Sequence, residues 1–180
     1  MKFTETPLAG AYVIDIEPHA DERGFFARTV STEGFAEHGL GASFVQQSIS
    51  FNVLKGTLRG LHFQAAPHEE DKLVRVTRGA IFDVIVDLRK NEPTLGKWFG
   101  VELSAVNHRQ LYIPKGFAHG FQTLDDNSEV LYAMTVPYAP GFARGVRWDD
   151  PEIGVEWPLP HSVIGARDLE LPTMAESKLA

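Results

Sequence analysis

Short apolar runs broken by turn residues follow one another along this chain, and few of them carry a helical period. The densest stretch is residues 56–89, GTLRGLHFQAAPHEEDKLVRVTRGAIFDVIVDLR. Within it, residues 72–77 and 80–88 are rich in Val, Ile and Phe and free of Pro. They flank Arg78-Gly79, which predicts two strands paired around a tight turn. Residues 57–64 predict a third strand just before them. Strict alternation sends Arg59 and His62 of that strand to opposite faces, so for both to serve one pocket the strand must kink or bulge at Gly60. The polar segment 65–71, AAPHEED, predicts a loop with His68, Glu69 and Glu70 in solvent.

The rest of the chain continues in the same style. Residues 8–17 alternate loosely and stop at Pro18, which suits a first strand. In DERGFF, Asp21 to Gly24 is turn chemistry, the Phe pair resumes an extended run through residue 30, and Arg23 alone reads as a solvated turn charge. Residues 32–38, TEGFAEH, predict one short helix with Thr32 as its cap and Gly39 closing it. Strands are expected over 44–51, 97–103, 109–114 and 129–135, while the Pro-, Gly- and Trp-rich stretch 138–160 suits the cover of a barrel end. Residues 162–171 carry Asp168, and 172–180 are expected to fray. About ten short strands with almost no helix predict an all-β fold, a jelly roll in one domain over residues 1–180.

Composition narrows the function. A chain of 180 residues is long enough to bury about 70% of its unfolded surface. Lys+Arg 17 against Asp+Glu 24, a net charge of -7 and no basic run argue against nucleic acid or an anionic membrane as partner. With Cys absent there is no disulfide, thiolate metal site or Cys nucleophile. No apolar run approaches membrane-spanning length, and a soluble cytoplasmic protein is expected.

Polar groups on the predicted strands carry the chemistry. Arg59, His62 and Lys72 would cost free energy if buried without partners, which is an active-site pattern on a β scaffold. Pro114, Gly116 and His119 in P-x-G-x-x-H, with His62 on an earlier strand, resemble the two half-motifs of the cupin superfamily. Metal-binding cupins usually carry H-x-H in the first half, but His62-Phe63-Gln64 has Gln at the second position. Two imidazoles fall short of the three protein ligands a catalytic metal needs, unless Glu69 or Glu70 completes the set, so no metal is expected. His62 is then free to act as a base. Two cations beside an imidazole suit an anionic substrate or an enolate.

From DERGFF through RGLHFQ, KLVRVTRGAIFDVIVDLR, WFGVELSA, QLYIPKGFAHGF, LYAMTVPYAP and RGVRWDDPEIGVEWP to the Asp168 tail, the chain resembles the dTDP-4-dehydrorhamnose 3,5-epimerases. That family consists of sugar-nucleotide epimerases of the cupin superfamily. The resemblance implies a cupin-type double-stranded β-helix with few short helices, a homodimer that exchanges an N-terminal strand, and no cofactor. It also implies inversion of the two carbons beside a keto group. By the same resemblance His62 is the base, Asp168 orients its ring, Tyr132 is the acid on the opposite face and Lys72 holds the enolate. Arg23 and Arg59 match positions at the nucleotide diphosphate, and Gln46, His119 and Tyr138 match other substrate contacts. This chain departs from the usual family residues at Arg28 (Glu), Ser48 (Asn), Ala143 (Glu), Arg167 (Lys) and Ala133 (often Lys). A single-centre epimerase on another nucleotide sugar, a non-catalytic sugar-binding cupin, a 3,4-ketoisomerase and, last, a metal-dependent cupin oxygenase are the rival readings.

Overall fold

The computed structural model describes residues 1–177, and almost all regular structure in it is strand. The strands in chain order are β1 (Lys2–Glu5), β2 (Tyr12–Asp15), β3 (His19–Asp21), β4 (Gly24–Phe26), β5 (Gln46–Asn52), β6 (Thr57–Gln64), β7 (Lys72–Arg78) and β8 (Ala80–Asp87). They continue with β9 (Trp98–Ser104), β10 (Gln110–Ile113), β11 (Phe117–Thr123), β12 (Ser128–Met134), β13 (Ala143–Gly145) and β14 (Val163–Ile164). Two short helices, α1 (Thr32–Ala36) and α2 (Ala166–Leu169), complete the framework.

Two sheets face each other. One has the order β1-β2-β10-β7-β12-β5, and the other runs β13-β6-β11-β8-β9 with β14 added in parallel to β6. Val74, Val76, Leu111 and Val130 from the first meet Ile81, Ile85, Leu103 and Phe121 from the second in the central core. Both sheets are also covered on their outer faces. Phe35 of α1 packs on Ile14, Leu73 and Tyr112, while Val146 and Ile153 pack on Leu61, Val84 and Val86. Burial on two faces explains why β8 reads as a continuous apolar run rather than an alternating one. Among the described residues no helix is long and apolar enough to cross a membrane.

The all-β architecture agrees with the sequence reading, but the central hairpin does not. β7 pairs with β10 and β12, and β8 pairs with β9 and β11, so the two neighbours in sequence lie in opposite sheets. β7 runs through Arg78, leaving Gly79 alone as the link, too short a loop for a two-residue hairpin. Gly79 has φ +73°, and a Cβ there would run into Ser128.

Local differences have local causes. The first strand expected over 8–17 survives only as β2, because residues 8–11 form a turn, with the Ala11 amide on the Leu8 carbonyl, and β1 precedes it where no strand was expected. Ser31 rather than Thr32 caps α1, its hydroxyl accepting from the Gly34 amide at 3.3 Å. The extended run after Phe26 does not continue as strand. Residues 172–177, expected to fray, are fastened instead. The Arg147 amide donates to the Pro172 carbonyl, and the Met174 amide donates to the buried Asp150 at 2.6 Å. The expectation for 178–180 lies outside the described residues.

Candidate active site

The kink expected at Gly60 is present, and it shapes the site. Across β6 and β11, His62 pairs with His119 while Arg59 pairs with Phe121, so β6 carries one extra residue between the two contacts. Gly60 sits at φ +110°, and a Cβ there would lie 2.7 Å from the Gly120 Cα and the His119 carbonyl. Only glycine fits this crossing. The bulge turns both Arg59 and His62 to one space between the sheets.

That space is an open cavity of about 380 Å³ reaching Gln46, His62, Lys72, Tyr132 and Tyr138. A compartment of about 290 Å³ continues past His62, Lys72 and Tyr132 to Arg59 and His119. His62 comes from β6 and Tyr132 from β12, strands of the two opposed sheets. Eight of the nine residues singled out from sequence therefore belong to the cavity or, for Asp168, to a group that lines it. Arg23 does not. It lies in the β3–β4 turn, 83% exposed and paired with Asp21, as its turn chemistry alone predicts.

Asp168 sits on α2, where its Oδ1 accepts from His62 Nε2 at 2.6 Å and its Oδ2 accepts the Gly60 amide at 3.0 Å. A carboxylate only accepts, so the Nε2–H tautomer follows, and Nδ1 carries the free lone pair. Burial opposes ionisation of Asp168. The His62 hydrogen bond, the Gly60 amide and the charges of His62 and Arg167 outweigh it and hold the carboxyl below its usual range. Tyr132 is shifted the other way. Burial first, and then the charge of Asp83, push its phenol far above the ordinary value, with Arg59 opposing. It is held as an O–H donor.

The remaining polar groups form two networks that the sequence reading missed. His119 Nε2 donates to Asp83 at 2.7 Å, both side chains being buried, and the second oxygen of Asp83 has no partner among the described residues. A charged residue inside the apolar run of β8 was the available signal. Glu70, expected in solvent, is the second case. Its carboxylate is buried against Lys72, Nζ to Oε1 3.1 Å, and accepts from Gln64 Nε2 at 3.0 Å. With both oxygens engaged, Glu70 is not placed as the third ligand that the sequence left open. Among the described residues no three His, Asp or Glu groups are arranged to hold a metal ion.

Binding positions are less uniform. Arg59 donates from Nε to the buried Asn52 at 2.7 Å, which aims its guanidinium at the inner compartment. Gln46 on β5 accepts the Tyr138 amide at 3.1 Å and fixes that half-exposed ring at the mouth. Of the departures from the usual family residues, Ser48, Ala143 and Arg167 line the cavity. Arg28 lines a separate cavity by α1, and Ala133 belongs to the cluster beneath that helix.

Comparison with known proteins follows this geometry closely. The profile of the dTDP-4-dehydrorhamnose 3,5-epimerase family matches residues 5–176. The chain is 51% identical over 158 residues to the dTDP-4-dehydrorhamnose 3,5-epimerase of Methanothermobacter thermautotrophicus, covering 88% of this chain and 84% of that one. A crystal structure of the Bacillus anthracis enzyme with TDP and PPi bound superposes with a TM-score of 0.93 at 42% identity, covering 96% and 99% of the two chains. The Legionella pneumophila enzyme in complex with dTDP-4-keto-L-rhamnose gives a TM-score of 0.91 at 36% identity, covering 97% and 93%.

Proposed function

This chain belongs to the dTDP-4-dehydrorhamnose 3,5-epimerase family, and on that premise we propose how its cavity inverts C3 and C5 of a dTDP-linked 4-keto-6-deoxyhexose. The observation that carries the reading is the opposition of His62, oriented by Asp168 on one sheet, to the protonated Tyr132 on the other.

In such a sugar the hydrogens on C3 and C5 both lie next to the C4 carbonyl. His62 Nδ1 takes one of them, and the electron pair left behind moves onto the C4 oxygen as an enolate. Lys72, on the cavity wall that carries Tyr132, balances the developing negative charge. Tyr132 then returns a proton to the carbon from the opposite face, and the centre is inverted. His62 releases its proton to solvent and Tyr132 regains one from it, and repetition at the second carbon completes the reaction. The ketone of the substrate is the electron sink, so the residues present suffice for the proton transfers. Arg59 in the inner compartment suits the diphosphate, while His119 beside it and Gln46 and Tyr138 at the mouth are further substrate contacts.

The reading extends to a homodimer. Arg23, a diphosphate position by resemblance, is too exposed and too remote to serve its own cavity. A second copy contributing its N-terminal strand and β3–β4 hairpin supplies Arg23 to the partner's site. Exposed Phe25 and Phe26 on that hairpin, Val45 just before the edge strand β5, and Ile49 and Phe51 along it are apolar surface that such an exchange would cover.

The test is proton NMR of dTDP-4-keto-6-deoxyglucose with the protein in deuterated water. Loss of both the C3 and C5 signals is the expected result. Loss of one alone makes the chain a single-centre epimerase, and loss of neither overturns the reading.

A further inference from the structure

Glu70 stands two residues before Lys72, at the junction of the polar loop with β7. Its side chain is 10% exposed and that of Lys72 is 12% exposed, so the 3.1 Å pair between them is largely withdrawn from water. The other carboxylate oxygen accepts from Gln64, itself buried. Gln64 then fastens the far loop: its Oε1 accepts the Ala139 amide at 2.6 Å, and its Nε2 also faces the Pro137 carbonyl at 3.4 Å. Tyr138 lies between those two contacts. One carboxylate thus touches the wall cation directly and, through a single intervening side chain, the backbone on either side of the mouth aromatic.

A negative group beside a cation that must receive negative charge works against catalysis unless its placement compensates. A lysine ammonium sits on a flexible four-carbon stem and carries three donors. Held by Glu70 through one donor, it keeps two for an oxygen in the cavity, and its direction is set before substrate arrives. Transition-state charge is stabilised best by donors that need no reorganisation.

We propose that Glu70 is a positioning residue for the epimerisation, fixing the Lys72 ammonium toward the place of the C4 oxygen and, through Gln64, tying it to the segment that carries Tyr138. The proposal rests on the reading of the cavity as a 4-keto-sugar epimerase site. The length of the Glu70 side chain, rather than its charge, does this work.

Four variants in the same deuterium-exchange assay, run at varied substrate concentration, test it. Glu70→Asp keeps the charge and shortens the arm, and is expected to lower kcat about tenfold or more with KM within about threefold. Glu70→Gln keeps the arm and the acceptor oxygen for Lys72 but sets an amide donor against Gln64 Nε2, and is expected to hold kcat within about threefold of the parent. Adding Glu70→Asp to Lys72→Met is expected to cost nothing beyond Lys72→Met alone, because Glu70 acts through Lys72. Parental kcat in Glu70→Asp, equal losses in the Asp and Gln variants, or additive losses in the double variant would overturn the proposal. A parent protein that exchanges neither proton overturns the epimerase reading and the proposal together, whereas a parent that exchanges beside an unaffected Glu70→Asp sinks the proposal alone.

Discussion

Asp168 reaches back across 106 positions of sequence to His62, and the same carboxylate accepts the amide of Gly60, so one side chain holds both the base and the bulge that aims it. The first consequence concerns the base. His62→Ala should abolish exchange at both C3 and C5 while leaving the thermal transition near that of the parent, since His62 is partly exposed. Asp168→Ala should abolish turnover and also lower stability by about 1–3 kcal/mol, because the buried Gly60 amide loses its partner. Exchange by NMR and unfolding by denaturant measure the two effects separately.

Tyr132→Phe removes the donor opposite the base without changing the shape of the wall. Wash-out of substrate hydrogen should continue, because His62 still reaches it, while formation of inverted product slows by about 10²–10⁴-fold. Parental rates of inversion in this variant would show that Tyr132 is not the acid.

The displaced titrations predict a pH signature. Asp168 is held below its ordinary carboxyl value in the folded chain. Its contribution to stability is therefore complete above the unfolded value of about 3.9 and is lost as the pH falls through the lower folded value. Thermal midpoints from pH 6 down to 2 should fall less steeply for Asp168→Asn than for the parent. On the alkaline side, the raised Tyr132 phenol should leave no loss of exchange rate near pH 10 attributable to its ionisation.

Gly60→Ala places a methyl group where the Gly120 backbone lies, at a backbone conformation that other residues rarely adopt. A destabilisation of about 2 kcal/mol or more is expected, together with loss of activity as Arg59 and His62 cease to share a cavity. A denaturant midpoint matching the parent would show that β6 can pass β11 another way.

Dimerisation by strand exchange predicts that sedimentation gives twice the chain mass. Arg23→Ala in that dimer should raise KM for the nucleotide sugar while leaving kcat near the parental value, as expected of a diphosphate contact. A fully active monomer would remove the exchange from the account.

How much of this was legible in the sequence depends on the range of the interaction involved. β6 was readable end to end because its apolar pattern and turn residues are local, and the bulge was readable because two polar residues three apart had to share a face. The pairing of β7 and β8 was misread because their pattern is the same whichever neighbour they meet, and the choice was made by strands far along the chain. Glu70 looked like loop charge, since nothing nearby in sequence reveals that its loop folds onto Gln64 and Lys72. Asp83 was in plain view inside an apolar strand, but its partner His119 lies on another strand.

The single-residue crossing at Gly79 also bears on the route by which the chain folds. Because β7 and β8 enter different sheets, neither can be completed by the other, and each waits for strands that follow it in the chain. Topologies dominated by such distant pairings fold slowly, in about milliseconds to seconds. The walls of the cavity belong to different sheets, so neither sheet alone holds a complete site. Activity should therefore vanish in step with global unfolding rather than ahead of it, since the chemistry is assembled only when both sheets are.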